Sequence, residues 1–411
     1  MPTRYSCTLR SNTSRKTPHA VIRISAAVSL GGSGSGKSLV NTGVIQSLSA
    51  TGGFAVYVGA AGLTTIDNAG SILSVGGPAI EASGATGSLH LTNSGTISSS
   101  TAVIYSVAAT AQSDIILNTG SIDGSVGLGA GNDLFDGIGG FVGGTVYGGA
   151  GDDTYRVSDT LVSIFEFALE GTLDRVESTV SFSLLPTGAV ENLTLLGNAV
   201  VGTGNALANT IIGSQGDNRL FGMAGNDVIY GGTGAGDDRL AGGAGNDSLF
   251  GSDGNDFLIG NSGDDRLNGQ DDDDVLIGGL GNDVLIGGNG EDRLIGGAGR
   301  ELLFGGADAD SFVFRHVSDS GATPTTRDAI QDYARGVDVI DLSGVDANIN
   351  LTGNQAFAFI GTAAFGSIAG QLRAIPGANS VLQGDTDGDG LADFTLVLTG
   401  ALTVAVNDLV L

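Results

Sequence analysis

Large apolar residues recur at a fixed interval through the middle of the chain: Leu220, Ile229, Leu240, Leu249, Leu258, Leu267, Leu276, Leu285, Leu294, Leu303 and Phe312. The step is nine residues except between Ile229 and Leu240, where it is eleven. Each stands at the eighth place of a block G-G-x-G-x-D-x-U-x, in which U is the apolar residue. The sixth place is acidic in the same register: Asp227, Asp238, Asp247, Asp256, Asp265, Asp274, Asp283, Asp292, Glu301 and Asp310. A repeat period decides architecture before any local reading does. The pattern predicts a short x-U-x strand leaving each glycine-rich turn and burying its apolar residue. Two blocks, eighteen residues, then make one coil. Stacked coils give two short parallel sheets with columns of Leu and Ile between them.

A second, longer period precedes it. Asn41-Thr-Gly43-Val-Ile45, Asn68-Ala-Gly70-Ser-Ile72, Asn93-Ser-Gly95-Thr-Ile97 and Asn118-Thr-Gly120-Ser-Ile122 follow one another at intervals of 27, 25 and 25 residues. Phe54-Ala-Val56, Pro78-Ala-Ile80 and Ala102-Val-Ile104 lie midway. Asn-x-Gly is a turn signal and the flanking apolar residues are short strands, so residues 38–126 are expected to form a parallel β-helix. Nonapeptide spacing returns at 127–156 around Asp133 and Asp153, and a β-rich spacer runs to 212. The nonapeptide array occupies 213–313, and a region of different character, 314–411, closes the chain. The fold class expected is all-β, a parallel β-helix and β-roll solenoid.

The block chemistry points to calcium. Glycines at places one, two and four admit positive-φ turns that point carbonyl oxygens inward, and the aspartate at place six adds a carboxylate. Calcium takes six to eight oxygen ligands. One turn supplies about half of these, so two stacked turns must share an ion. The expected ligand positions are Gly222, Gly225 and Asp227; Gly236 and Asp238; Gly242, Gly245 and Asp247; Gly251, Gly254 and Asp256; Gly260, Gly263 and Asp265; Asp274; Gly278, Gly281 and Asp283; Gly287, Gly290 and Asp292; and Asp310. Asp133 and Asp153 are expected to act likewise, with coils that hold no metal as the alternative. Asp385, Asp387, Asp389 and Asp393 alternate around Gly388 and Gly390 as in the first half of an EF-hand loop, and form a further expected site; an acidic turn between strands is the alternative. Each U residue buries about 1.5–3 kcal/mol of apolar surface, whereas ordering a residue costs roughly 1 kcal/mol or more. Burial alone does not hold such loops, so metal binding and folding are expected to be one event.

These blocks resemble the RTX (repeats-in-toxin) β-roll, the nonapeptide calcium repeat of secreted bacterial proteins, over about a quarter of the chain. The N-x-G-x-I coils resemble those of autotransporter passenger domains and adhesin-like proteins. From 305 to 411 the chain is similar to the C-terminal domain of serralysin-type metalloproteases, through Arg327-Asp-Ala-Ile-Gln-Asp-Tyr333, Asp338-Val-Ile-Asp341, Asp385-Thr-Asp-Gly-Asp389 and the terminal Asn407-Asp-Leu-Val-Leu411. That resemblance implies a cap on the roll and an uncleaved signal read by the type I secretion machinery, with Asp408 to Leu411 part of it.

Composition narrows the function. A net charge of −27 argues against nucleic acid or an anionic membrane as partner. Seventy-two glycines and no tryptophan suit stacked coils, and no run of eighteen apolar residues predicts a transmembrane segment. The single cysteine, Cys7, makes no internal disulfide. Residues 1–37 hold six of the seventeen basic residues and read as a separate, disordered segment. Gly31–Ser38 has P-loop spacing, but Leu39-Val-Asn-Thr-Gly43 does not continue it as a helix. His19, His90 and His316 precede no glutamate, so the serralysin zinc site is missing. No catalytic residue is expected. The reading is a secreted, calcium-dependent solenoid that is not an enzyme, with a structural or adhesive role and cell-surface or matrix polysaccharide as a candidate partner. A polysaccharide lyase or epimerase built on the N-terminal coils is the alternative.

Overall fold

Runs of three to six alternating residues, each cut off by an Asn-x-Gly or glycine-rich turn, are too short for anything but one rung of a sheet. Thr64–Asn68 and Leu89–Asn93 bury every second side chain. The computed structural model describes residues 21–24, 28–32, 37–49, 53–82, 86–99, 104–105, 112–167, 171–400 and 403–411. Most of the basic segment 1–37, and residues 33–36 of the P-loop-like stretch, lie outside them. Lys37 and Ser38 open a strand, Lys37–Asn41, rather than a helix. Among the described residues there is no α-helix, and no helix is long and apolar enough to cross a membrane. Two units are distinguished, Met1–Leu196 and Gly197–Leu411.

In the N-terminal unit each coil adds one strand to each of three parallel sheets. One sheet runs through Val44–Ser47, Ser71–Ser74, Thr96–Ser99 and Ser121–Asp123, a second through Val56–Ala60, Ile80–Glu81, Val126–Ala130 and Thr145–Ala150, and a third through Lys37–Asn41, Thr64–Asn68, Leu89–Asn93 and Ile115–Asn118. The expected β-helix is therefore present. Ile45, Ile72, Ile97 and Ile122 stack in register and are buried. The third sheet continues with Phe135, Tyr155, Val176 and Leu193, and the coils shorten: Leu91 pairs with Ile116, Ile116 with Phe135, and Phe135 with Tyr155.

The asparagines do more than turn the chain. Asn41, Asn68, Asn93 and Asn118 are buried and stacked, each Nδ2 donating to the next Oδ1 at 2.7, 2.7 and 2.8 Å. Because the strands hold Asn41, Asn68, Asn93 and Asn118 in register, although the first interval is two residues longer, four amides meet in line and satisfy one another inside the core, where an unpaired amide would be costly.

In the C-terminal unit the eighteen-residue coil is present as expected. Leu240, Leu258, Leu276, Leu294 and Phe312 form one column across strands Arg239–Ala244 to Ser311–Val313. Ile229, Leu249, Leu267, Leu285 and Leu303 form the other. All are at most 1% exposed. After 313 both sheets continue and then end. Asp328–Ile330 pairs with Phe394–Leu398, which begins an antiparallel meander with Ser380–Asp385 and Gln371–Ile375. Val339–Asp341 pairs with Leu409–Val410.

Candidate metal centre

The turns between strands carry the acids, and stacking lines them up. Along one edge of the roll the N–H of Asp227 donates to Asp247 Oδ1 at 2.8 Å, Asp247 to Asp265 at 2.8 Å, and Asp265 to Asp283 at 2.9 Å. Along the other, Asp238 donates to Asp256 at 2.7 Å, Asp256 to Asp274 at 2.8 Å, Asp274 to Asp292 at 2.9 Å and Asp292 to Asp310 at 3.0 Å. One oxygen of each carboxylate is thus spent on the backbone of the preceding coil. The other, Oδ2 of Asp227, Asp247, Asp256, Asp265, Asp274, Asp283, Asp292 and Asp310, is buried with no hydrogen-bond partner among the described residues. A buried polar atom left in that state costs about 1–3 kcal/mol, more for a charged one.

Each such oxygen faces a glycine. At Gly260 an added Cβ would run into Asp265 Oδ2 and lie 2.6 Å from the carbonyl oxygen of Gly278, in the next coil. Gly222 stands in the same way to Asp227 and Gly242, and Gly251 to Asp256 and Gly269. A carboxylate oxygen and a carbonyl oxygen from two stacked turns therefore converge on a space kept open by the missing side chain. This corrects the reason for the first glycine. It does not take positive φ; the second and fourth places do, as at Gly279 (φ 120°) and Gly281 (φ 132°). The second place also accepts Met223, Ser252, Asn261 and Gln270 at positive φ, so the first-place glycine answers to space and the second to conformation.

Burial pushes these carboxyls up: Asp238, Asp283 and Asp292 to about 6, Asp227, Asp256, Asp265 and Asp310 to about 7, and Asp274 to about 8. Asp247 moves the same way. The ionised form needs a cation beside it.

The other expected positions divide. Gly225, Gly245, Gly254, Gly263, Gly281 and Gly290 hold positive φ and pack on the backbone of the preceding coil. Gly236 packs on Gly216, while the glycine set against Asp238 Oδ2 is Gly231. Gly269 and Gly305, which open blocks by spacing but were not among the expected ligand positions, face Asp274 and Asp310 in the same manner; Gly231 alone of the three falls outside the spacing. Asp133 and Asp153 belong to a ladder in the N-terminal unit, where Asp114 donates to Asp133 Oδ1 at 2.6 Å, Asp133 to Asp153 at 2.8 Å and Asp153 to Asp174 at 2.7 Å. Asp385, Asp387 and Asp393 come together, each offering an oxygen within 4.8 Å of the others, whereas Asp389 is not in that group. Asp385 accepts from Gly388 N at 2.7 Å and Gly390 N at 3.0 Å, and Asp393 Oδ2 from Thr386 N at 2.7 Å, as in an acidic turn.

Three ladder members escape the nine-residue spacing. Glu301 N donates to Asp328 Oδ1 at 2.9 Å, Asp310 N to Asp338 Oδ1 at 3.2 Å, and Gly305 N to Asp332 Oδ1 at 3.0 Å. Burial, and then the Asp328 carboxyl beside it, push Glu301 up.

Oxygen-only donors, buried carboxylates lacking partners and spaces that a methyl group would close fit calcium. The RTX calcium-binding nonapeptide repeat family matches at residues 145–157, 203–235, 233–267, 250–285 and 277–312. No curated protein matches the chain. The solution structure of the AlgE6R3 subunit from the Azotobacter vinelandii mannuronan C5-epimerase is similar over 36% of this chain and 77% of that one, at 30% identity and a TM-score of 0.27. The nonapeptide blocks, the two acid ladders of the roll and the family match fall on the same residues, and by them this chain is an RTX-type repeat protein with a calcium-binding β-roll.

Proposed function

We propose that this is an exported protein whose roll folds on calcium outside the cell, and whose role there is structural or adhesive rather than catalytic. The observation that carries this reading is the set of buried, unpartnered Asp Oδ2 atoms along the roll. Each must be protonated or matched by a cation, so at neutral pH the folded roll and the bound ion depend on each other. The residues that hold calcium in this reading are the sixth-place aspartates from Asp227 to Asp310, with carbonyl oxygens such as those of Gly242 and Gly278 from the adjoining turn. Where free calcium is scarce the carboxylates repel and the chain stays open; where it is plentiful the coils close. Such a chain suits passage through a type I channel, guided by the serralysin-like C-terminal region. The N-terminal coils then offer their outer faces to a surface or matrix polysaccharide.

Calcium titration followed by circular dichroism and calorimetry, with magnesium as control, tests the reading. A cooperative gain of β-structure with several ions bound is expected. A chain already folded in chelator that binds little calcium overturns it. Calcium-dependent attachment to polysaccharide without sugar release supports the adhesive role, and turnover of the polysaccharide refutes it.

A further inference from the structure

In the N-terminal unit one sixth-place aspartate, Asp153, meets two acids that lie outside the nine-residue spacing, Glu166 and Asp174. Asp153, Glu166 and Asp174 are each 1% exposed, and each offers a carboxylate oxygen within 4.8 Å of the others. They come from separate turns: Asp153 precedes the strand Thr154–Val157, Glu166 follows Ser163–Phe165, and Asp174 precedes Arg175–Ser178. Asp153 Oδ1 is occupied by the Asp133 N–H, while Oδ2 is buried with no hydrogen-bond partner among the described residues. Tyr155, fully buried in the inner column, donates its hydroxyl to Glu166 Oε1, and Gly149 N–H donates to Oε2 at 3.2 Å. A Cβ on Gly148 would meet Glu166 Oε1, the Tyr155 hydroxyl and Asp153 Oδ2 at once. The basic residue next to Tyr155, Arg156, is engaged by Glu177 at 2.8 Å and Asp136 at 3.7 Å.

Three carboxylates drawn together away from water demand a compensating positive charge. We propose that Asp153, Glu166 and Asp174 hold one calcium ion beside the Tyr155 hydroxyl, at a site assembled from three unlike turns. Every donor is a hard oxygen, which excludes thiophilic metals. Magnesium keeps several of its waters, whereas calcium accepts a crowded, irregular set of carboxylates. The centre brings three charged ligands where a turn of the roll brings one, so it binds more tightly and fills before the roll does. It stands on residues 148–174 and does not require that the roll fold on calcium.

The chain has no tryptophan, so terbium used in place of calcium is sensitised only through tyrosine or phenylalanine. Terbium titrated into the full chain should light up early, and calcium should quench that emission in competition. Tyr155→Phe should remove this component while calcium stoichiometry is kept. Glu166→Gln should remove it too, lower the affinity of the tightest ion at least tenfold and reduce the stoichiometry by one; Asp265→Asn in the roll should leave it intact. Early emission that survives Tyr155→Phe, or an undiminished tightest ion in Glu166→Gln, overturns the proposal. Should Glu166→Gln misfold, the Tyr155→Phe comparison still decides, since it removes a single oxygen. A roll found folded in chelator would refute the calcium-coupled folding of the roll and leave this result standing.

Discussion

Asp265→Asn separates the two roles of a ladder aspartate. Oδ1 accepts the Asp247 N–H at 2.8 Å, and an asparagine oxygen keeps that bond. Only Oδ2 changes, from a bare carboxylate oxygen to an amide NH2 on the side where the Gly278 carbonyl approaches. In calcium at about 100 times the site's Kd, binding contributes roughly 2.7 kcal/mol of stability, and loss of the charged ligand removes most of it. Without calcium the sign reverses. Burial holds this carboxyl at about 7 rather than its ordinary 3.8, so at pH 8 ionisation opposes folding by of order 4 kcal/mol, and about half that once the loop relaxes and admits water. The neutral amide carries no such penalty and gains an acceptor in Gly278. The urea midpoint in calcium should therefore fall, while the β-ellipticity remaining in chelator at pH 8 should rise. An equal loss of stability in both solutions would refute the reasoning, since the aspartate would then act through its shape and its hydrogen bond alone.

The same carboxyls set a pH dependence. Their folded-state values near 6 to 8 lie above the ordinary 3.8, so without metal their support for the fold is complete at about pH 4 and is lost as pH rises through that range; acidification in chelator to pH 5.5 should restore β-structure that is absent at pH 8, and with calcium present the half-saturating concentration should fall as pH rises. In the N-terminal unit, Asn93→Ala strips the partner from Asn68 Nδ2 and from Asn118 Oδ1; it should cost about 2–3 kcal/mol in the urea transition of that unit, by an amount unchanged when the calcium concentration is varied.

How much of this was legible in the sequence depends on period. Leu258, Leu276 and Leu294 recur every two blocks, so their shared column and the eighteen-residue coil follow from counting. Asp256, Asp265 and Asp274 are legible as acids facing one edge or the other for the same reason. The role of Asn68 and Asn93 was only half visible: Asn-x-Gly announces a turn, but the inward amide stack appears only when strand pairing brings the turns into register. Past Phe312 the ladder steps jump to 27 and 28 residues, at Glu301 to Asp328 and Asp310 to Asp338, and periodic reading loses them. Glu166 and Asp174 are hidden likewise, because the turns that join them to Asp153 differ in length and composition. Gly231 escaped because the longer unit sets it seven residues before Asp238 rather than five.

The acid ladders give the roll a direction. From Asp227 to Asp283 on one edge and from Asp238 to Asp310 on the other, the N–H of each ladder aspartate is satisfied by a side chain of the coil that follows in sequence, as Asp265 waits for Asp283 and Asp292 for Asp310. The last coils are completed only by Asp328 and Asp338, beyond the repeats. An array of this kind can lengthen or shorten in evolution by eighteen residues at a time, since a coil removed whole leaves its neighbours in matching register. Loss of a single block would move every later strand to the opposite sheet and bring Asp328 and Asp338 to the wrong ladders. The two residues added between Ile229 and Leu240 are tolerated because they lie in the turn, where Leu220 still meets Leu240 and Ile229 still meets Leu249. Copy number in this chain is therefore counted in pairs, and its variation is governed by the partner that the final coil has yet to meet.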